Sequence, residues 1–436
     1  MLLTIDKLIY GGNGLARLPA DEKARGKAVF LPFVLEGERV EAEITEQKPG
    51  FARARAEKIL EASPQRVQPG CPYFGECGGC HYQHAGYEHQ LQIKSAILRE
   101  TLRRVGKIEL AQEIRVHASP PWNYRNRARL RLRTRPFVLG YNRLRWSELL
   151  AVEQCPISSP LINRAIAALW ELGRTDKVST DVTEIEFFAN ADDTQLLAEL
   201  TAEDRGWRQG RKSDLLQFVR ALRAAMPQIT GVAVFHTTGQ GVLEREHIPA
   251  ELQQTFGADH LLYSTSTASY RVSAGSFFQT NRFLIDKLVE LVTGGRAGGY
   301  ALDLYAGTGL FSVALAKKFR EVGAVESAPL SFHDLKQNCP ANVRCFREPV
   351  ERFVGNIERP LDLIVLDPPR AGLAEKVTRL LADSGMPRIA YVSCDPATLA
   401  RDLTVLTGSG YRIEEAHLVD LFPQTFHIES LLQLVR

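Results

Sequence analysis

The sequence predicts an α/β protein in three parts: a small β-rich module, a mixed central region, and a C-terminal doubly wound parallel sheet. Three observations carry this. Residues 1–60 hold short alternating strands broken by Gly- and Pro-containing turns. From about Ser273, apolar runs typical of buried parallel strands alternate with helical stretches. Between them, residues 117–270 mix both textures without an internal repeat. At 436 residues the chain is also too long for one ordinary domain.

In the first module, Lys27-Ala28-Val29-Phe30-Leu31-Pro32 and Glu38-Arg39-Val40-Glu41-Ala42-Glu43-Ile44 read as strands, and Gly11-Gly12-Asn13-Gly14 as a loop. Lys48, Arg53, Arg55 and Lys58 accompany the strands, which suits a barrel lying on a nucleic-acid backbone as well as an ordinary charged surface. A helix from about His89 to Val105 is expected to carry Leu91, Ala96, Ile97, Leu98, Leu102 and Val105 on or near one face. The net charge of +3 selects no partner. No run of about 18 apolar residues occurs, and Asp6 interrupts the stretch a signal peptide would need, so a cytoplasmic protein without a membrane span is expected. Seven unevenly spaced cysteines, three of them within 71–80, point to metal binding or catalysis rather than a disulfide framework.

At the start of the C-terminal sheet, residues 300–312 read as a buried strand, a glycine loop and a helix. Gly307 and Gly309 let the loop backbone approach a ligand where a side chain would collide. The next strand ends in Glu326, placed to accept hydrogen bonds from ribose hydroxyls. A later strand, 361–366, runs into Asp367-Pro368-Pro369-Arg370. Together these fit a sheet that binds a nucleoside-bearing methyl donor, with a nicotinamide dinucleotide as the competing reading.

Ile389-Ala390-Tyr391-Val392-Ser393-Cys394 is a further apolar strand, ending on a cysteine where such sheets keep their chemistry. Taken alone, Cys394 reads better as a packing residue. Glu429, a carboxylate in the apolar stretch 422–430, changes that reading. Uracil C5 is a poor nucleophile; methylating it requires a thiolate to add to C6 and a base to remove the C5 proton afterwards. Cys394 and Glu429 meet both needs. An ordinary thiol, with a pKa of about 8.5, is little ionised at pH 7, so the site must assist it. His427 reads as a structural residue or an RNA contact before it reads as part of that assistance.

The run Ser393-Cys394-Asp395-Pro396-Ala397-Thr398-Leu399-Ala400-Arg401-Asp402 lies between Asp367-Pro368-Pro369-Arg370 and His427-Ile428-Glu429, and Phe277-Phe278-Gln279-Thr280-Asn281 lies upstream. This ordered set closely resembles the RNA 5-methyluridine (uracil-C5) methyltransferase family. The resemblance implies Cys394 as nucleophile and Glu429 as base, and contacts from Gln279, Tyr305, Glu326 and Asp367 to S-adenosylmethionine. It implies an OB-like barrel of the TRAM type over 1–60 and a central α+β iron–sulfur domain over 61–272. A Rossmann-like class I methyltransferase sheet follows over 273–436, with the helical segment 89–116 packing against it. Leu310 and Pro349 depart from the family, standing where relatives often carry Asn and Asp.

Cys71, Cys77 and Cys80 form C-x5-C-x2-C, and Cys155, in Gln154-Cys155-Pro156, offers a fourth ligand. On residue types alone, zinc held by four cysteines, or by three with His81 or His84, competes. The resemblance implies a [4Fe-4S] cluster on the four cysteines, in a structural or RNA-organising role.

Arginines occupy the odd positions Arg125, Arg127, Arg129, Arg131, Arg133 and Arg135, so one strand face would present them while Ala128, Leu130 and Leu132 pack inward. Such a stripe is expected to repel itself in water and to be neutralised by RNA phosphates, with Trp122 and Tyr124 stacking on unpaired bases. A solvated edge strand is the bland alternative. A uracil inside a helix cannot be reached, so a loop or flipped-out uridine is expected, bound by a monomer. Barrel and cysteine motif together resemble the 23S ribosomal RNA enzymes, with the T-loop of transfer RNA as the alternative target. A cytosine-C5 enzyme would carry a second Pro-Cys before Asp367, which is absent; a non-catalytic iron–sulfur RNA-binding protein would be free to lose Cys394 or Glu429.

Overall fold

A computed structural model of the chain describes residues 1–18, 26–144, 147–203, 212–237, 251–357 and 360–436. Strands Leu2–Thr4, Lys7–Ile9, Asn13–Arg17, Ala28–Pro32, Arg39–Gln47 and Phe51–Glu61 form one curled sheet. Alternation along Arg39–Gln47 buries Val40 and Ala42 against Leu3, Ile5, Val29 and Leu31. The basic residues of this sheet are largely matched by its own acids: Lys48 and Arg53 meet Glu46, and Arg55 meets Glu43.

After the cysteine turn comes the helix Tyr87–Arg104, which packs against the helix Pro396–Gly408. Leu91, Ile97, Leu98 and Leu102 are buried as their spacing predicts. Ala96 and Val105 are exposed, contrary to expectation, because Ala96 points off that face and the helix ends at Arg104. The rest of the segment expected as helix contains the strand Ile114–His117, which joins an edge of the C-terminal sheet beside Arg412–Val419.

The central region is a seven-stranded sheet in the order Leu149–Ala151, Phe137–Asn142, Arg127–Thr134, Val182–Ala189, Leu196–Glu203, Ile229–Thr237, Glu251–Gly257. Helices Pro160–Arg174 and Lys212–Ala225 cover one face through Leu161, Ile166, Leu169, Phe218 and Leu222.

The C-terminal sheet has eight strands, ordered Val343–Phe346, Phe319–Val325, Gly298–Leu304, Leu363–Leu366, Arg388–Ser393, Ser430–Val435, Arg412–Val419, Ile114–His117. The first five are mutually parallel, and Ser430–Val435 runs against its neighbours. Leu363–Leu366 is buried throughout, as a central strand covered on both faces must be. No described helix is long and apolar enough to cross a membrane.

Candidate active site and cysteine cavity

The strand Gly298–Leu304 leads into a loop in which Tyr305, Gly307 and Gly309 all adopt positive φ. At Gly309 a Cβ would lie 3.0 Å from Leu335 Cδ1 and 3.3 Å from Cys339 Sγ, so a side chain there would crowd the loop. Asn338 Nδ2 braces the loop from outside by donating to the Thr308 carbonyl at 2.9 Å. Glu326 accepts from Gly307 N at 2.9 Å and Ala328 N at 2.6 Å, which draws the acid against the glycine loop. Leu310 is buried at the start of the following helix and Pro349 precedes the short helix Val350–Phe353; neither supplies a polar side chain.

Gln279 and Asp367, far apart in sequence, meet at the carboxyl end of the sheet, where Gln279 Nε2 donates to Asp367 Oδ2 at 3.3 Å. Asp367 is pushed up to about 7 by burial. Asp303, at 0 % exposure beneath the glycine loop, is also pushed up to about 7 by burial, against the opposing Ser312 hydroxyl.

Arg388–Ser393 and Ser430–Val435 pair antiparallel, and their last pair is Ser393 with Ser430. Cys394 and Glu429 are the next residue on each chain, so the register sets the thiol beside the carboxyl. Ser430 Oγ donates to the Ser393 carbonyl at 3.3 Å across this junction. Asp395 caps the helix Pro396–Gly408 by accepting from Ala397 N at 2.9 Å and Thr398 N at 3.0 Å, which leaves Cys394 at the positive end of that helix. Burial, then the charges of Glu429 and Asp367, push the Cys394 thiol up to about 12, while Arg370 acts in the other direction. Glu429 is held well above the usual carboxylate range by burial and by Asp367, again opposed by Arg370. His427 faces Arg370, with Nε2 3.5 Å from its Nη2, and burial lowers it to about 3, so it is neutral at pH 7.

The sequence reading missed two neighbours of the thiol. Tyr10, from the turn after Lys7–Ile9 in the N-terminal sheet, donates its hydroxyl to the Cys394 carbonyl at 3.4 Å and packs edge-on to Phe426. Its only sequence signal was its place beside the glycine-rich loop. Arg370 was visible within Asp-Pro-Pro-Arg, but its role as the cation facing Cys394, Glu429 and His427 depends on tertiary placement.

Cys71, Cys77, Cys80 and Cys155 line one cavity of about 220 Å³, together with Tyr73, Phe74, Tyr141 and Arg125. Cys155 is fixed by Asn163, whose Oδ1 accepts from Cys155 N at 2.8 Å and whose Nδ2 donates to its carbonyl at 2.9 Å. Gln83 Oε1 accepts from Cys71 N at 3.0 Å. Burial raises the thiols of Cys71, Cys77 and Cys80, and neighbouring thiolates would repel one another. Among the described residues, no three His, Cys, Asp or Glu side chains converge on a single-ion site. His84 turns to the Val34 carbonyl and His81 packs on Phe426, so neither lines the cavity as a zinc ligand would.

Ala128, Leu130 and Leu132 face inward and the arginines alternate with them. The expectation of a self-repelling stripe needs correction, because the adjacent strand supplies acids. Arg127 and Arg129 meet Glu186, at 3.5 and 3.0 Å, and Arg131 approaches Glu184 at 4.0 Å. Arg127 also lies over the Phe188 ring, Arg125 turns to the cysteine cavity, and Arg133 remains exposed. Tyr124, expected as a stacking platform, is instead fully buried, with its hydroxyl on the Pro423 carbonyl.

The profile of the tRNA (Uracil-5-)-methyltransferase family matches residues 86–359 and 356–436, and that of the TRAM domain matches residues 1–56. An uncharacterized RNA methyltransferase of Aquifex aeolicus is 33% identical over 444 residues, 99% of this chain and 97% of its own. The 23S rRNA (uracil(1939)-C(5))-methyltransferase RlmD of Salmonella paratyphi A is 33% identical over 446 residues, covering 98% and 94%. That of Chromohalobacter salexigens is 32% identical over 463 residues, covering 100% and 89%. The crystal structure of Pyrococcus abyssi tRNA (uracil-54, C5)-methyltransferase with S-adenosyl-L-homocysteine superposes with a TM-score of 0.77 over 100% of both chains, and at 23% identity establishes the shared fold. By profile and by end-to-end similarity alike, this chain belongs to the tRNA (uracil-5-)-methyltransferase family and carries a TRAM domain at its N-terminal end.

Proposed function

We propose that this protein methylates C5 of a uridine in RNA, with 23S ribosomal RNA as the substrate, and that Cys394 and Glu429 perform the chemistry. The observation that carries this reading is the facing pair itself: thiol and carboxyl sit at adjoining strand ends, beside Gln279 and Asp367. Cys394 Sγ adds to C6, and the displaced electron pair makes C5 nucleophilic enough to take a methyl group. Glu429 then removes the C5 proton; that C–H pair re-forms the C5–C6 double bond as the C6–S bond breaks and the thiolate leaves. In that role Glu429 must be ionised at the moment of proton removal, while its burial favours the protonated product.

S-adenosylmethionine supplies the methyl group from a sulfonium. The residues present fit such a donor. Asp303, Asp367 and Glu429 are buried carboxyls all pushed upward, which makes this end of the sheet favourable for a cation. Gln279 and Asp367, which meet each other, and the Tyr305–Gly309 loop, which Glu326 braces, would hold the donor. A positive charge held there also lowers the cost of ionising Cys394, which the resting protein keeps protonated.

Cys71, Cys77, Cys80 and Cys155 line one cavity of about 220 Å³ and would hold a [4Fe-4S] cluster, for which four thiolates are the usual ligand set. Methyl transfer consumes no electron, so Cys71, Cys77, Cys80 and Cys155 hold the group as a structural element. The choice of ribosomal over transfer RNA rests on the relatives from Salmonella and Chromohalobacter, which match along nearly the whole chain. A loop or flipped-out uridine is required because Cys394 sits at a buried strand end. Arg133, with the outer sides of Arg129 and Arg131, offers the phosphate contact.

Mass-spectrometric mapping of 5-methyluridine in ribosomal and transfer RNA from a deletion strain tests the proposal. Loss of one or more 23S sites, restored by the wild-type gene and not by Cys394→Ala, is expected. Loss confined to transfer RNA would reassign the substrate, and unchanged methylation in both would refute the activity.

A further inference from the structure

Glu429 stands at the end of an irregular loop that leaves the strand Arg412–Val419 and re-enters the sheet at Ser430. Its first five carbonyls are all engaged by groups from far earlier in the chain. Asn281 Nδ2 donates to the carbonyls of Asp420 at 3.5 Å and Leu421 at 3.1 Å. Lys94 Nζ, at 0 % exposure, donates to the Phe422 carbonyl at 2.9 Å and to Asp420 Oδ1 at 2.6 Å. Tyr124 donates its hydroxyl to the Pro423 carbonyl at 3.0 Å. His81 N and Tyr82 N both donate to the Gln424 carbonyl at 2.9 Å.

Gln424 is the keystone of this loop. Its φ is +68°, a left-handed conformation disfavoured for a residue with a Cβ. Gln90 locks it reciprocally: Gln424 N donates to Gln90 Oε1 at 3.0 Å, and Gln90 Nε2 donates to Gln424 Oε1 at 2.9 Å. Both glutamines are buried, so the amides have no water to exchange with. A buried loop of this kind, strained at one residue and satisfied from outside at its first five carbonyls, is tightly constrained. Val419 N donates to the Glu429 carbonyl at 2.9 Å, which closes the loop onto the base itself.

We propose that Gln90 and Tyr124, together with the peptide N–H groups of His81 and Tyr82, are positioning groups that hold the 420–424 loop so that Glu429 meets the C5 proton. The inference rests on the reading of Glu429 as the base. It also gives the cysteine cavity a place in the chemistry. Cys80 is bonded directly to His81, so the cavity wall continues into the peptide that grips Gln424.

The signature follows from the order of steps. Thiol addition and methyl transfer precede proton removal, so a displaced Glu429 leaves the methylated, C6–S-bonded RNA waiting. Gln90→Met removes the two bonds to Gln424 at nearly constant volume, along with a third from Gln90 Nε2 to the Ala85 carbonyl, and Tyr124→Phe removes one hydroxyl. Each variant is assayed with S-adenosylmethionine and RNA from the deletion strain, containing ordinary uridine, and covalent protein–RNA is read on a denaturing gel. For Gln90→Met we expect kcat to fall about tenfold, KM for RNA to stay within about twofold, and a covalent species absent from wild type to accumulate. Tyr124→Phe gives the same signature more weakly, and carries the test alone if Gln90→Met fails to fold. A fall in kcat without accumulated conjugate, or no change in either variant, overturns the proposal. Glu429→Gln serves as the control: if it accumulates no conjugate, the base assignment fails, whereas accumulation there but in neither positioning variant refutes only the positioning role.

Discussion

Asp303→Asn is expected to make the protein more stable at alkaline pH and less stable at acid pH. Asp303 is the second-last residue of the strand below the glycine loop; the Ser312 hydroxyl donates to its Oδ2, and its Oδ1 has no partner among the described residues. Burial lifts its carboxyl from 3.8 to about 7, Ser312 opposes the rise, and Asp367 and Glu326 add to it. Each pH unit of displacement is worth about 1.4 kcal/mol, so the ionised group costs the fold about 4 kcal/mol above pH 7. The sign follows from the folded value lying above the unfolded one. The protonated group's contribution is fully present below about pH 4 and is lost as pH rises through about 7. Asparagine keeps an acceptor for Ser312 but leaves an amide N–H at the unpartnered position, a penalty of about 1–3 kcal/mol that does not vary with pH. The stability difference between variant and wild type should therefore grow by about 2 kcal/mol between pH 5.5 and pH 8.5. Urea unfolding at both pH values, followed by fluorescence, measures it. A difference that stays constant, or shrinks, would show that Asp303 is not a buried charge and would remove part of the argument for a cationic donor at this end of the sheet.

Two further outcomes are expected. Cys155→Ser should lower iron and acid-labile sulfide from about four of each per chain toward background, and should destabilise the central region; about one zinc per chain with no sulfide in the wild type would replace the cluster by a zinc site. Arg133→Ala should weaken RNA binding and reduce the dependence of log Kd on log salt by about 0.7, while Arg129→Ala, whose charge already meets Glu186, should change the slope less. Equal slopes for the two variants would contradict the charge-matching account.

The chemistry-bearing residues were legible because they are local. A cysteine at the end of an apolar strand, an acid in an apolar stretch, glycines after a strand and cysteines at short spacing each announce themselves in a few residues. What the sequence could not display is what a distant strand supplies. The arginine stripe looked unbalanced until Val182–Ala189 placed Glu184 opposite Arg131 and Glu186 opposite Arg129. Tyr124 looked like a stacking platform because its neighbours are arginines, yet its hydroxyl meets the loop before Glu429 and its ring is enclosed. Ile114–His117 read as part of a helical segment because its short apolar pattern takes meaning only from pairing with Arg412–Val419, some 300 residues later. Lys94 and Gln90 lie outside the apolar set expected for their helix; they are buried because Asp420 and Gln424 supply partners that no local pattern reveals.

The covalent role of Cys394 is tested most directly with substrate RNA carrying 5-fluorouridine at the modified position, incubated with the protein and S-adenosylmethionine. Fluorine at C5 cannot be abstracted as a proton, so Glu429 has nothing to remove and the sulfur stays bonded to the ring. The account predicts a stoichiometric, denaturation-resistant conjugate whose peptide map places the nucleotide on Cys394, with none formed by Cys394→Ala. Efficient methylation of the matching uridine RNA with no conjugate from its fluorinated counterpart, or a conjugate mapping to another residue, would contradict it.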